Sequence, residues 1–192
     1  RGLGDVYKRQ VMGSPKKHGK TATALEFFEK QLLSQGHEID RINITDYHIN
    51  GCLGCYACMQ KQNAAGCVQK DDAEQVLMRI ISADAVVYAS PLYSFDLTAQ
   101  MKPLVDRSFC LSNTPLLDGK SVALLITCAG QEEGNADLVQ EFFRRGFDGE
   151  NKGMFHTKLV GEFIIPFSDA SDFSDRARKT ADTLATSILN GL

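Results

Sequence analysis

Hydrophobic residues follow two different spacings along this chain, and the two alternate from residue 11 onwards. Continuous apolar runs at 85–89 and 122–127 indicate strands that are buried on both faces. Between such runs apolar residues recur every three or four positions, as Leu25, Phe28 and Leu32 do, which is typical of an amphipathic helix. The predicted strands are 11–12, 37–44, 85–89, 122–127 and 159–165, and the predicted helices are 21–35, 73–81, 97–105, 135–145 and 173–189.

Five alternations of strand and helix predict one doubly wound α/β domain, with helices on both faces of a five-stranded parallel sheet. The expected strand order is 2-1-3-4-5 in a three-layer α/β/α arrangement. No repeat, low-complexity tract or linker interrupts the pattern, so residues 11–192 are expected to form a single domain. In the fourth helix, Leu138, Val139, Phe142 and Phe143 are expected to face the sheet.

The first ten residues do not fit this pattern. They lack a starting methionine, and Lys8, Arg9 and Gln10 are poor candidates for the middle of a buried strand. The segment 1–10 resembles the read-through of a sequencing adapter, so it is interpreted as a non-native scar. This interpretation predicts a first strand that is shortened or poorly patterned.

Composition narrows the class of protein. Of the 192 residues 43% are hydrophobic and 23% are charged, and the formal net charge is −3. Without a basic stripe the chain is not expected to bind nucleic acid, and without a run of eighteen apolar residues it is not expected to bind a membrane. A soluble cytoplasmic protein is expected, in which clustered cysteines indicate metal or redox chemistry more than disulfides.

The stretch 13–22 predicts a phosphate cradle between the first strand and the first helix. Ser14 and Thr21 supply hydroxyl groups, Lys16 and Lys20 supply charge, and the helix supplies unpaired N–H groups. Five residues separate Gly13 from the glycine that precedes Lys20, whereas a nucleotide-triphosphatase P-loop has four. A loop that grips one terminal phosphomonoester is therefore favoured over a P-loop, and an ordinary βα turn remains the third possibility.

A second loop, 90–95, suits a flat heterocycle. Pro91 turns the backbone, Tyr93 and Phe95 can lie against a ring face, and Ser94 can donate a hydrogen bond. The alternative is a plain loop whose aromatic residues cover the sheet edge. In the expected topology this loop and the phosphate cradle open on the same crevice, and residues 128–130 follow the fourth strand beside them.

Four cysteines have the spacing C-x2-C-x2-C-x8-C, namely Cys52, Cys55, Cys58 and Cys67. Three close thiolates can occupy three corners of a [4Fe–4S] cubane, and the fourth can close it. A zinc site fits less well because zinc loops more often contain two separated pairs. Reduced thiols that pack a loop are the remaining possibility. Cys110 is expected in the core, and Asp106 with Arg107 is interpreted as a structural pair.

Several of these motifs together resemble the NADPH-dependent FMN reductase family of the flavodoxin-like superfamily. The cysteine loop, followed by Lys70, Asp71 and Asp72, resembles the iron–sulfur flavoprotein branch of that family. The resemblance implies FMN as cofactor, NAD(P)H as electron donor, and a homodimer or homotetramer with the flavins near subunit contacts. The motifs that carry it are Gly13-Ser14-Pro15-Lys16, Gly19-Lys20-Thr21-Ala22, Ser90-Pro91-Leu92-Tyr93 and Ala99-Gln100-Met101-Lys102-Pro103-Leu104-Val105-Asp106-Arg107.

The resemblance also implies which residues bind the cofactor. Lys16 stands where the family usually has Arg, and Lys20 where it usually has Asn, so a bidentate guanidinium contact with the phosphate is lost. The residues implied to hold the FMN phosphate are Ser14, Lys16, Lys20, Thr21 and Ala22; those implied to line the isoalloxazine are Pro91, Leu92, Tyr93, Ser94 and Phe95; and Cys128, Ala129 and Gly130 are expected nearby.

The function expected is that of an FMN-dependent oxidoreductase, which passes electrons from NAD(P)H to a quinone, flavin, small-molecule or protein acceptor. The flavin performs the chemistry, so no side chain is assigned a catalytic role. Three alternatives remain open: a non-enzymatic electron-transfer flavoprotein with or without a cluster, a P-loop nucleotide-binding protein, and a metal-binding module without flavin.

Overall fold

The computed structural model describes residues 7–60 and 66–192, in which strands and helices alternate as the spacing predicts. The strands are β1 (Tyr7–Met12), β2 (Glu38–Asn43), β3 (Ala85–Pro91), β4 (Ser121–Thr127) and β5 (Lys158–Ile165). The helices are α1 (Lys20–Ser34), α2 (Ala73–Ile81), α3 (Lys102–Arg107), α4 (Asp137–Phe147) and α5 (Phe173–Asn190).

All five strands form one parallel sheet in the order β2-β1-β3-β4-β5, which confirms the predicted fold class and strand order. Val11 lies opposite Ile42 on one side and Tyr88 on the other, so β1 is central and paired on both edges. Because the strands are parallel, the loops that follow them leave from the same edge of the sheet.

Two separate hydrophobic cores lie on the two faces of the sheet. One face packs against α1 and α5, and the other against α2, α3 and α4. Alternate residues of β3 supply the two cores, because successive strand side chains point to opposite faces: Val86 and Tyr88 belong to the second core, Val87 and Ala89 to the first. On the second face Tyr88 lies in a group of aromatic rings with Phe143, Phe147 and Phe155.

Predictions about the third and fourth helices need correction. The third helix begins at Lys102 instead of residue 97, because the segment before it is folded into turns. The prediction that Leu138 faces the sheet is wrong, since its side chain is 69% exposed. The helix runs two residues further along the chain than predicted, and it buries Phe147.

β1 carries polar side chains into the interior. It has six residues, as β2 has, so it is not shortened. Its pattern is nevertheless poor, because Lys8 and Gln10 are buried and their side-chain polar atoms have no hydrogen-bond partner among the described residues. Burial lowers the pKa of Lys8. The interpretation of 1–10 as a non-native segment stays a prediction, and residues 1–6 lie outside the described residues.

Within the described ranges, none of the helices combines the length and the apolar character that a membrane span requires.

Candidate functional site

The loop that joins β1 to α1 is fixed at its first residue by two neighbouring segments. The Gly13 N–H donates to the carbonyl of Ala89 at 2.8 Å, and the Gly13 carbonyl accepts a 2.6 Å bond from the Thr98 hydroxyl. A Cβ atom at this position would lie 2.8 Å from the side chain of Met101. A glycine is therefore required here because the chain passes too close to Met101 for any side chain.

The start of α1 presents unpaired N–H groups at the carboxyl edge of the sheet. The first intrahelical bond runs from the Thr23 N–H to the Gly19 carbonyl, so the N–H groups of Lys20, Thr21 and Ala22 have no carbonyl partner within the helix. The first turn contains no acidic residue, and no side chain caps it. The positive end of the helix dipole is consequently free to bind an anion.

Side chains of the same loop add a hydroxyl group and positive charges, and the two lysines differ in whether their charge is already paired. Ser14 is buried and its hydroxyl accepts the Lys16 N–H at 3.1 Å. Lys17 forms an ion pair with Asp46. Lys16 is exposed and has no carboxylate partner in the part of the chain that the structure describes. Of these two adjacent lysines, Lys16 is therefore the one whose charge is available to a ligand.

Lys20 does not point into the loop in this structure. Its ammonium lies 4.7 Å from the ring centroid of Phe173, at the start of α5. Its backbone N–H belongs to the cradle, whereas its side-chain charge is directed at an aromatic face.

Two buried threonine hydroxyls connect the cradle to the end of β4. The Thr21 and Thr127 hydroxyl oxygens are 2.7 Å apart, and the Thr127 carbonyl accepts the Leu92 N–H at 2.9 Å. The start of α1, the end of β4 and the loop after β3 therefore meet at one point. The sequence placed Thr127 beside this pocket, at the end of an apolar run, but gave it no contact. Thr98 was missed, because it adjoins no apolar run that would have marked it.

The loop after β3 forms a tight turn that displays two aromatic rings. Tyr93 and Asp96 exchange backbone hydrogen bonds of 3.0 and 3.1 Å, and the residues between them, Ser94 and Phe95, have φ values of 50° and 67°. Such left-handed conformations cost a non-glycine residue free energy and are concentrated at ligand sites. Tyr93 is 45% exposed and Phe95 is 52% exposed, so both rings are accessible to a ligand.

The loop after β4 is held against the loop after β5. The Cys128 carbonyl accepts the Ser168 N–H at 2.8 Å, and the Gly130 carbonyl accepts the Phe167 N–H at 3.1 Å. Burial raises the pKa of the Cys128 thiol. Ala129 and Gly130 are exposed, so this loop offers backbone groups more than a reactive sulfur.

The four cysteines of the loop before α2 line a separate cavity of about 380 Å³. Its lining includes none of the residues predicted to contact FMN. Cys110 also lies on its wall, where burial and the neighbouring Cys67 and Cys58 raise the pKa of its thiol to about 11. The remaining wall is mostly aromatic and aliphatic, with Phe109, Phe142, Phe147 and Phe155.

The lining of this cavity contains the four thiols that a [4Fe–4S] cluster would require. No group of three His, Cys, Asp or Glu side chains within the described ranges is close enough to hold one metal ion. A cubane takes one thiolate at each of four corners, and Cys52, Cys55, Cys58 and Cys67 all line this one cavity. Burial raises the pKa of Cys58, and the other three cysteines raise it further. Four thiols that influence one another across one cavity form a suitable donor set.

A buried ion pair lies behind the cysteines. The Asp71 carboxylate accepts bonds of 2.8 and 3.1 Å from the Arg107 guanidinium, and both side chains are 1% exposed. The interpretation of Asp106 and Arg107 as one pair is therefore wrong, because Asp106 pairs with Lys102 at 2.5 Å. Burial alone would raise the pKa of Asp71, but hydrogen bonds from Arg107 and from two backbone N–H groups hold it well below its usual range.

The chain is similar to a protein-family model and to curated proteins. The NADPH-dependent FMN reductase family model matches residues 10–144. An iron–sulfur flavoprotein of Archaeoglobus fulgidus is 36% identical over 120 residues, which cover 62% of this chain and 53% of the relative. An iron–sulfur flavoprotein of Methanocaldococcus jannaschii is 32% identical over 139 residues, which cover 69% of this chain and 68% of the relative. The chain thus spans about half to two thirds of the length of these relatives.

Solved structures share the fold at low sequence identity. An NAD(P)H:quinone oxidoreductase from Methanothermobacter marburgensis superposes with a TM-score of 0.72 at 19% identity, over 94% of this chain and 96% of that one. An azoreductase from Bacillus anthracis superposes with a TM-score of 0.70 at 14% identity, over 94% and 98%. The solved structures confirm the fold, and the family match together with the iron–sulfur flavoprotein relatives shows that the chain belongs to the NADPH-dependent FMN reductase family, in its iron–sulfur flavoprotein-like branch.

Proposed function

We propose that the protein binds FMN at the carboxyl edge of the sheet and transfers electrons from NAD(P)H to an acceptor. One observation carries the proposal: the loop that starts at Gly13, the turn at Tyr93 and the end of β4 are joined by direct hydrogen bonds. These bonds hold the uncapped start of α1 and two exposed aromatic rings at one edge of the sheet, which supports a site for a mononucleotide with a planar ring.

At the phosphate end, the N–H groups of Lys20, Thr21 and Ala22 would donate to phosphate oxygens, together with the Ser14 and Thr21 hydroxyls. Lys16 would add a positive charge. This set consists mainly of backbone donors fixed by the fold, so the two departures from the family pattern, Lys16 and Lys20, leave most of the cradle intact.

At the ring end, residues 91–95 and 128–130 would line the isoalloxazine. Tyr93 and Phe95 would contact the ring face, and backbone N–H groups would bind its polar edge. Bound FMN would supply the hydride-accepting chemistry. The chain's own part is to bind and orient the ring and to limit the access of water, and we assign no side chain as a proton donor.

The cysteine loop would hold a [4Fe–4S] cluster through Cys52, Cys55, Cys58 and Cys67. When bound, the cluster would supply one-electron chemistry. The acceptor proposed is a quinone, a flavin, another small molecule or a redox protein. The structural neighbours named above act on quinones or azo compounds according to their names, which is compatible with a small-molecule acceptor. A homodimer or homotetramer in the cytoplasm is likewise proposed.

The test is an anaerobic absorption experiment on purified protein. Wild-type protein titrated with FMN is expected to bind it in a one-to-one ratio, and NADPH is expected to bleach the flavin bands. A chain that binds no FMN refutes the proposal. A chain that binds FMN but is reduced only by dithionite is an electron carrier and not an NAD(P)H-dependent enzyme.

Two adjacent lysines provide a matched pair of variants for the phosphate end. K16Q removes the unpaired charge and is expected to raise the Kd for FMN about 10- to 150-fold, because a charge-assisted hydrogen bond contributes about 1.5–3 kcal/mol. K17Q removes the same charge from the same loop, but Lys17 is paired with Asp46. Equal effects of the two substitutions would show that Lys16 has no specific contact with the phosphate.

A further inference from the structure

Arg107 is only 2% exposed, and its guanidinium makes four hydrogen bonds in the interior. Two of its N–H groups bind the Asp71 carboxylate, as described above, and Nη1 also donates to the carbonyl of Asn50 at 3.0 Å. Its Nε lies 3.1 Å from the Cys67 sulfur. All of these partners belong to the cysteine segment or flank it, whereas Arg107 itself ends α3.

These contacts close the cysteine segment at its base. Asn50 precedes the first cysteine and Asp71 follows the last, and the Asp71 carboxylate also accepts the Asn50 N–H at 2.9 Å. The Ala73 N–H donates to the same carboxylate at 3.1 Å, which fixes the start of α2. The two ends of the segment are therefore held together around one guanidinium, at a point that the packing of α3 determines.

The contact with Cys67 distinguishes this cysteine from the other three. A guanidinium N–H points at its sulfur, so the sulfur receives both a hydrogen bond and a nearby positive charge. Cys52 receives only a 3.5 Å contact from the neutral Gly54 N–H. Among the described residues, Cys67 is the one member of the set with a charged donor.

We propose that Arg107 is a positioning residue for the metal centre: it orients the Cys67 sulfur as a ligand and makes the bound cluster easier to reduce. The inference rests on the cluster proposed above. Hydrogen bonds and positive charge at a ligating sulfur stabilise the extra electron of the reduced cluster, and groups behind the ligands typically change metal affinity by 10- to 100-fold. Arg107 acts through Cys67 and does not itself contact iron.

A purely structural role of Arg107 would explain its pair with Asp71 equally well. The test must therefore separate structural support of the cysteine segment from an effect on the Cys67 sulfur. R107K keeps the positive charge for Asp71 but loses the N–H that reaches the Cys67 sulfur. R79K is the matched control, because Arg79 binds Asp40 through the same kind of fork, with an Nε contact of 3.1 Å, and no contact with a cysteine is recorded for it in the described structure.

Three quantities are measured on anaerobically reconstituted protein: iron per chain, the rate of iron release to a chelator, and the midpoint potential of the cluster followed by electron paramagnetic resonance. R107K is expected to release iron at least about tenfold faster and to have a more negative midpoint potential. R79K is expected to match the wild type in all three. If R107K retains iron and has the midpoint potential of the wild type, the role assigned to Arg107 is refuted. The proposed cluster would remain supported by that result.

A measurement on the wild type covers the case in which R107K does not fold. In protein labelled with ¹⁵N-arginine, pulsed electron paramagnetic resonance of the reduced cluster is expected to show a ¹⁵N coupling through the N–H···S bond. R79K should retain this coupling. A wild-type cluster without it overturns the inference, and a wild-type chain that takes up no iron at all refutes both the inference and the proposed cluster.

Discussion

The substitution D71N tests the ion pair behind the cysteines. Asparagine has the shape of aspartate but no charge, so it leaves the Arg107 guanidinium 2% exposed and without a counter-ion. Removing one partner of a buried pair costs about 3–5 kcal/mol, because the remaining charge stays desolvated. Proteins of this length lose about 2–4 °C of Tm per kcal/mol, so the expected fall in Tm is about 6–20 °C.

D106N is the matched control for this prediction. Asp106 adjoins Arg107 in the sequence and also forms an ion pair, but its partner Lys102 is 36% exposed and Asp106 is 40% exposed. Such surface pairs contribute about 0.2–1 kcal/mol, which corresponds to at most about 4 °C. Asp71 thus belongs to a buried ion pair and Asp106 to an exposed one.

Thermal unfolding followed by circular dichroism measures both variants, with and without an iron chelator. The chelator-treated samples report the ion pair itself, since any contribution of bound metal has been removed. If D71N and D106N lower Tm by the same amount under chelation, the Asp71–Arg107 pair is not the stabilising feature that its burial implies.

Three further predictions follow from the same structure. The pKa of Asp71 in the folded state is lowered from 3.8. The Asp71 carboxylate therefore stabilises the fold above pH 3.8, and this contribution is lost as the pH falls through the folded-state pKa. The Tm difference between wild type and D71N should accordingly shrink on acidification. T21V should lower Tm by about 2–12 °C and weaken FMN binding, because the buried Thr127 hydroxyl loses its 2.7 Å partner at a cost of about 1–3 kcal/mol; melting curves and FMN titration measure these effects. G13A should lower the free energy of unfolding by about 1–3 kcal/mol through overpacking, since its Cβ would lie 2.8 Å from a methionine side chain. G146A in α4 should leave that free energy unchanged or raise it by up to about 1 kcal/mol, because a Cβ there would meet no neighbouring group within 4 Å. Unfolding in guanidinium chloride measures the free energy of unfolding of both variants.

The sequence predicts the fold because its signals are local. Apolar runs such as that of β4 are typical of strands buried on both faces of a parallel sheet, and helical spacing such as that of α5 identifies the face that packs against the sheet. Gly36 ends α1 with φ +79°, as a glycine after a helix is expected to do. The predictions failed where helical spacing did not decide the structure. Leu97 and Met101 are spaced as in a helix, yet the chain forms turns before Lys102, and Leu138 is in step with Phe142 yet is exposed.

The candidate site was predictable to the extent that parallel topology brings loops together. Ser14 and Tyr93 lie at the same sheet edge because each follows a strand of a parallel sheet. The direction of the Lys20 side chain depends on Phe173, which lies on another helix, and no local pattern contains that information. The partner of Arg107 was predicted wrongly for the same reason: Asp71 is 36 residues away, and only the packing of α3 beside the cysteine segment brings the two charges together.

One segment, residues 98–107, connects the two candidate sites. At its start the Thr98 hydroxyl binds the Gly13 carbonyl and Met101 packs against Gly13, so it supports the phosphate cradle. At its end Arg107 binds the cysteine segment. The helical part between them is six residues long, or about 9 Å. Leu104, Val105 and Arg107 are the buried residues of this helix, so the packing of α3 against the core sets where the Cys67 sulfur lies relative to the cradle.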